Sequence, residues 1–374
     1  VAGVGIAPSW LMRAAAQDSM KKKILVAIFQ RGAADGLNIV VPFSEKLYYD
    51  MRPTIAVPLP GKPNGAIDLD GQFGLHPSLQ QLKPLWDAGQ LAIVEAAGSP
   101  DPSRSHFDAQ DFMESGTPGK TSEDGWLNRA LPAGGSGVSP LRAVAMGAQL
   151  PRTLRGTRAA VAVNNLQQFQ VQNSSSAGIL ESMYAAASDS KLSASGKETF
   201  EALKMVEAIN RAPYSPANGA QYPGEFGRSL QQISRLIKAD VGVEAAFADI
   251  GGWDHHSNEP PQLSGLLQQF GNSLAAFVKD MGDRMNDIVL VTMSEFGRTA
   301  KEDGNSGTDH GHGNVMFVLG GPVRGGKVYG RWPGLEPEQL YEKRDLAVTT
   351  DFRSVLGELV ERHLGLKTAS VFPG

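Results

Sequence analysis

A series of apolar runs recurs along the chain, separated by longer amphipathic stretches. Ile24 to Phe29 follows three lysines and closes in the Gly-rich turn Arg31 to Gly36. Its hydrophobic positions are continuous rather than alternating, which predicts a strand covered on both faces. Leu91 to Ala97, Ala143 to Met146, Ala159 to Val163, Ala245 to Ile250, Ile288 to Met293 and Val315 to Leu319 read the same way. Between several of them the period changes. From Pro260 to Met285 the apolar residues Leu263, Leu266, Leu267, Phe270, Leu274, Phe277, Val278, Met281 and Met285 recur at spacings of three and four, with Gln262, Gln268, Asn272 and Lys279 opposite. That is a helix with one face on a sheet. Further helices are expected over Pro77 to Ala88, Ala177 to Ala187, Lys197 to Arg211, Gly224 to Ala239 and Asp351 to Leu364. Strands alternating with helices of this length imply crossover units, hence an α/β fold in three layers, α/β/α, on a mostly parallel sheet.

One such domain is expected over residues 21–374, with a helical insertion around 156–222, where Ser, Ala, Asn and Gln dominate and the rhythm fades. Residues 1–20 stand apart. VAGVGIAPSWLMRAAA is mildly apolar and ends in alanines before a charged stretch, so it reads as a signal-peptide remnant or an N-terminal arm. The first alternative implies a periplasmic or secreted protein. No stretch reaches the roughly 18–20 apolar residues of a membrane span.

Composition narrows the chemistry. The 374 residues carry 35 Lys+Arg against 39 Asp+Glu, a formal charge of -4, so no broad cationic field exists for nucleic acid. There is no cysteine, which removes thiolate zinc sites, iron–sulfur clusters and cysteine nucleophiles. Any metal must rely on carboxylates, hydroxyls and seven histidines.

Those histidines are gathered. Five of the seven stand beside Gly, Ser or Asp in short polar segments: His106 in SRSHFD, His255 and His256 in GGWDHH, and His310 and His312 in TDHGHG; His76 precedes Pro77 alone. Asp35 and Glu295 each follow a predicted strand. In an open α/β sheet the loops past the carboxyl ends of the strands converge on one crevice, which can bring Asp35, Ser105, Asp254 and Glu295 together. His310 and His312 precede their strand, so they join the crevice only if that strand runs antiparallel, at an edge. Carboxylates, imidazoles and a serine hydroxyl suit one or two divalent cations. Arg104 and Arg298 offer guanidinium forks for a tetrahedral anion. Each has a plainer role open to it: turn chemistry for Asp35, an N-cap for Ser105, a structural ion pair for Glu295 with Arg298.

The stretches GAADGLN (32–38), FGLHP (73–77), SRSHFDAQ (103–110), GGWDHH (251–256), SEFGRT (294–299), GTDHGHGN (307–314) and TTDFR (349–353) follow one another along nearly the whole chain. With them the sequence resembles the exported bacterial family called domain of unknown function 1501, which often carries a twin-arginine signal. That family looks like a distant branch of the alkaline phosphatase and sulfatase superfamily, so the resemblance implies an alkaline phosphatase-like fold. It also implies Asp35 as the aspartate after the first strand, Ser105 as the nucleophile opening a helix, Asp254 with His256 as ligands of one metal, and His310 or His312 as the last ligand. Where the superfamily has an Asp-His pair, this chain has Ser294-Glu295, a departure that touches the second metal.

The expected function is therefore a metal-dependent hydrolase of phosphate or sulfate esters in the cell envelope. Ser105, Arg104 and Arg298 are its catalytic candidates; Asp35, Asp254, His256, Glu295, His310 and His312 are the candidate ligands of Zn, Mn, Ca or Mg. A small anionic ester, or a sulfated or phosphorylated glycan, would be its partner. The alternative is a non-catalytic binding protein on a degenerate scaffold that recognises an envelope glycan or a protein.

Overall fold

The computed structural model describes residues 23–117, 122–133, 138–169 and 190–373. The arm read over 1–20 and the helix expected over 177–187 lie outside the described residues. Each expected strand is present: Ile24–Gln30 (β1), Leu91–Gly98 (β2), Ala143–Met146 (β3), Val161–Val163 (β4), Ala245–Ile250 (β5), Ile288–Ser294 (β6) and Asn314–Gly320 (β7). Two short strands, Lys327–Tyr329 (β8) and Thr350–Asp351 (β9), complete a nine-stranded sheet. Its order is β8-β2-β7-β6-β1-β5-β3-β4, with β9 also paired to β2. β1 pairs in parallel with β5 and β6 in the centre.

The continuous apolar run of β1 is explained by layers on both sides. Val26 and Ile28 pack into one core with Leu230 and Ile233 of helix α3 (Gly224–Lys238) and Leu267, Phe270 and Phe277 of α4 (Glu259–Met281). Leu25, Ala27 and Phe29 pack into the other with Met113 of α1 (His106–Ser115) and Leu356 and Val360 of α5 (Phe352–Arg362). Helix α2 (Ser190–Arg211) adds Ala202, Val206 and Ile209 to the first core. Each fully buried Leu or Phe is worth about 1.5–3 kcal/mol against exposure, so the two cores fix the sheet between them. The fold is thus a three-layer α/β/α sandwich with a mostly parallel sheet.

β7 is the exception in direction. It runs antiparallel to both β6 and β2. The sequence placed such a strand at an edge, whereas it lies inside the sheet because β2, flanked by β8 and β9, covers its other side. The residues between β6 and β7 include no helix to carry the chain back across the layer, and without a crossover the next strand must reverse. As a result β7 starts at the edge where β6 ends. Among the described residues, no helix is long and apolar enough to cross a membrane.

Candidate metal centre

At that edge His106 is the first residue of α1, positioned by the loop after β2. Its Nδ1 stands 2.9 Å from Glu295 Oε1. The same oxygen accepts from the Gly32 amide at 2.8 Å and from Gln110 Nε2 at 2.9 Å, while Ser294 Oγ donates to Oε2 at 3.0 Å. Gly32 is required at its place: its φ is 117°, and a Cβ there would meet the Asp254 amide at 2.8 Å. Burial pushes the Glu295 carboxyl up, but the hydrogen bonds from His106, Gln110 and Gly32 outweigh it and hold Glu295 ionised. An ionised carboxylate only accepts, so His106 carries its proton on Nδ1 and turns the Nε2 lone pair outward. The hydrogen bond to Glu295 also raises the pKa of His106.

His310 is set in the same way. Its Nδ1 donates to the Arg104 carbonyl at 3.0 Å, which leaves Nε2 free. That Nε2 lies 3.0 Å from His106 Nε2 and 3.1 Å from His256 Nε2. Burial, then the neighbouring His106, lowers the His310 pKa. Asp254 faces all three rings: Oδ1 is 2.9 Å from His256 Nε2 and 3.3 Å from His310 Nε2, and Oδ2 is 3.5 Å from His106 Nε2. Arg298 Nη1 grips Asp254 Oδ1 at 2.6 Å, and against the cost of burial this keeps the Asp254 pKa low. Asp309 stands at the rim, with Oδ1 4.0 Å from His256 Nδ1.

These donors fit a divalent cation. Two imidazole lone pairs 3.0 Å apart repel unless a cation lies between them. Ligands held at about 2.0–2.1 Å in a tetrahedron stand ~3.3 Å from one another, close to the separations just given. Two overlapping ligand groups form, His106 with Asp254 and His310, and His256 with Asp309 and His310.

The structure thus brings Asp254, His256 and His310 together, with Arg298 and Glu295 bound to the cluster from outside, and sets Asp35 and His312 elsewhere. Asp35 is buried in a two-pronged pair with Arg52, at 2.5 Å and 3.1 Å. Burial opposes its ionisation, but Arg52 holds its pKa below the usual range. Behind it the buried Glu259 is raised well above the ordinary range by burial and by the Asp35 charge. Glu295 supports His106 from behind rather than facing His310. His312 is buried and stacked on Tyr341, ring centroids 4.4 Å apart. Arg104 is spent on Asp345 and Glu342, each at 2.6 Å, and Arg298 on Asp254 and on Thr308. Ser105 is exposed at the N-cap position of α1, and its hydroxyl makes no cap hydrogen bond. His106 and Asp309 are the cluster members that sequence reasoning missed. His106 adjoins the serine given the nucleophile's role, and its place one step inside the helix is the signal that points it at the crevice.

No curated protein matches the chain. Among solved structures, the PH0037 protein from Pyrococcus horikoshii is 12% identical with a TM-score of 0.34, covering 82% of this chain and 87% of that one. The PsFucS1 sulfatase from Pseudoalteromonas is also 12% identical, with a TM-score of 0.36 over 86% of this chain and 68% of that one. Likenesses so distant carry no activity across. The family model of DUF1501, described as a protein of unknown function, matches residues 22–371, and the chain belongs to that family.

Proposed function

We propose that the protein is a metal-dependent hydrolase of phosphate or sulfate esters. The convergence of three imidazole Nε2 atoms on the Asp254 carboxylate, at the carboxyl edge of the sheet, supports this reading more than any other observation. His106, Asp254 and His310 would hold a divalent cation, and His256 and Asp309, overlapping at His310, give a place for a second. A nitrogen-rich set suits Zn better than Mn, Ca or Mg. Such a cation supplies Lewis acidity toward the ester and makes a hydroxyl or water easier to deprotonate.

The chain's own groups would do the rest. Glu295 keeps the His106 proton on Nδ1, the Arg104 carbonyl does the same for His310, and Arg298 fixes the Asp254 carboxylate. Ser105, exposed at the N-terminus of the ten-residue α1, would be the nucleophile, and the positive end of the helix favours an anionic group there. The compartment in this reading is periplasmic or secreted, on the strength of the apolar, alanine-rich residues 1–16.

A non-catalytic binding protein is the second reading. The engagement of both Arg104 and Arg298 by carboxylates favours it, since neither fork is open to a substrate anion. Elemental analysis of protein purified without chelator, followed by turnover of aryl phosphates and aryl sulfates with and without EDTA, separates the two. The hydrolase takes up metal and loses turnover in Ser105→Ala while remaining folded. Failure to take up Zn, Mn, Ca or Mg sinks the hydrolase reading.

A further inference from the structure

A polar groove opens beside the imidazole cluster and follows the carboxyl ends of β5, β3 and β4. Two cavities form it, of about 1180 Å³ and about 690 Å³, with Met146, Gly147, Ala148 and Asp249 in the walls of both. Together they exceed the roughly 300–1,000 Å³ of an ordinary small-ligand pocket. Neighbouring strands lie ~4.8 Å apart, so the three intervals from β1 to β4 give it a length of ~14 Å. At the β1 end Arg31 donates to Gln110, and Gln110 donates to the Glu295 that backs His106. At the β5 end, Gly251 stands three residues before Asp254.

The lining decides what kind of chain fits. Arg31 is paired with Glu114 at 3.0 Å and Asp249 at 2.7 Å, and Arg152 with Asp111 at 2.7 Å. Among the described residues, carboxylates outnumber guanidinium groups in the walls of both cavities, so a polyanion meets a net negative lining. Phe226 and Phe247, the aromatic residues among those described in the walls, are 3% and 2% exposed, which leaves an alkyl or aryl chain little face to cover there. What the second cavity offers instead is side-chain amides, among them Asn164, Asn165, Gln168 and Gln269. An amide presents a donor and an acceptor together, and a sugar hydroxyl needs both.

We propose that the groove binds an uncharged oligosaccharide several units long, lying across the strand ends. Its role as the carrier of the ester rests on the hydrolase reading; the binding itself does not. The test uses saturation-transfer NMR on the full chain in EDTA, with neutral tri- and tetrasaccharides of glucose, mannose and galactose and their sulfated counterparts as probes. At least one neutral chain binds, tetramer tighter than trimer, with affinity insensitive to salt. Asn164→Ala and Gln168→Ala, both at exposed positions, weaken it roughly three- to ten-fold, the effect of a lost hydrogen bond, with the thermal midpoint unchanged. Preference for the sulfated chains, or full affinity in both variants, overturns the proposal. So does the absence of neutral binding in a protein that still hydrolyses esters with metal, which leaves the hydrolase reading intact. Neutral binding in a protein that takes up no metal upholds the groove and removes only its link to hydrolysis.

Discussion

Glu95 occupies the middle of the bulge in β2, where Val94 pairs with Met316 and Ala97 with Asn314, and the next residue, Ala96, has a φ of 50°. Its carboxyl is buried, Oε1 has no hydrogen-bond partner, and burial raises its pKa well above the ordinary 4.5. A group raised in the folded state gives stability in full below its unfolded pKa, and loses it as the pH rises through the folded value. Glu95→Gln therefore removes a slope: its unfolding free energy in urea matches the wild type at pH 4 and exceeds it at pH 9 by about 1–3 kcal/mol, the penalty of an unpaired buried group. Equal free energies at both pH values refute this. Glu295 shows what a sequence hides at this scale. Its position after an apolar strand suits a ligand and an outer support equally, and only the four donors already on its oxygens decide. Glu295→Gln would turn an amide N–H toward His106 Nδ1–H or the Gly32 amide. A loss of about 10–100-fold in Zn affinity, measured by competition titration, is the expected result. Unchanged affinity would mean that His106 needs no such support.

The segment between β6 and β7 supplies Glu295, Arg298, Asp309 and His310 from one excursion of the chain. Its reversal was legible as a condition, because residues before a strand reach the carboxyl edge only if that strand runs backward. Its place inside the sheet was not, since the order of strands is set by pairings between distant residues. The alternation His310-Gly311-His312 read as two ligands about one glycine. The glycine answers to packing: a Cβ at Gly311 would lie 2.3 Å from the Arg298 carbonyl carbon and oxygen. Its amide donates to the Gly297 carbonyl at 2.8 Å, which ties the two limbs of the excursion together. The two imidazoles part: His310 joins His106, His256 and Asp254, while His312 stacks on Tyr341. Overpacking of this kind costs roughly 1–3 kcal/mol, concentrated in the limb that carries His310. Gly311→Ala should keep the far-UV spectrum of the wild type and lose most of its metal uptake; a variant with full uptake shows that the limb can move aside.

Across the molecule, the layered arrangement was readable because strands buried on both faces cannot alternate, and the amphipathic helices between them need a sheet to cover. The site was half readable. Residues at strand ends were found, while the separation of true cluster members from buried pairs such as Asp35 with Arg52 depends on contacts between segments far apart in sequence. The same separation has a thermodynamic consequence. The cluster joins the start of α1, the loop after β5 and the limb before β7, which in the unfolded chain are dispersed over about two hundred residues. A cation that binds the assembled cluster and not the dispersed histidines stabilises the fold by RT ln(1 + [L]/Kd), about 2.7 kcal/mol at a hundredfold excess over Kd. Chelator-treated protein should therefore gain about that much in urea unfolding when Zn is restored. Asp254→Asn should gain much less, because its neutral amide no longer offsets the charge of the cation or of Arg298, which keeps its bond to Thr308. Phe296 packs with Ala33 and Ala109 beside His106, so a cation that held α1 would be linked to the ends of β1 and β6 through a small apolar contact. Equal unfolding midpoints with and without Zn would leave the three imidazoles without the cation that their geometry calls for.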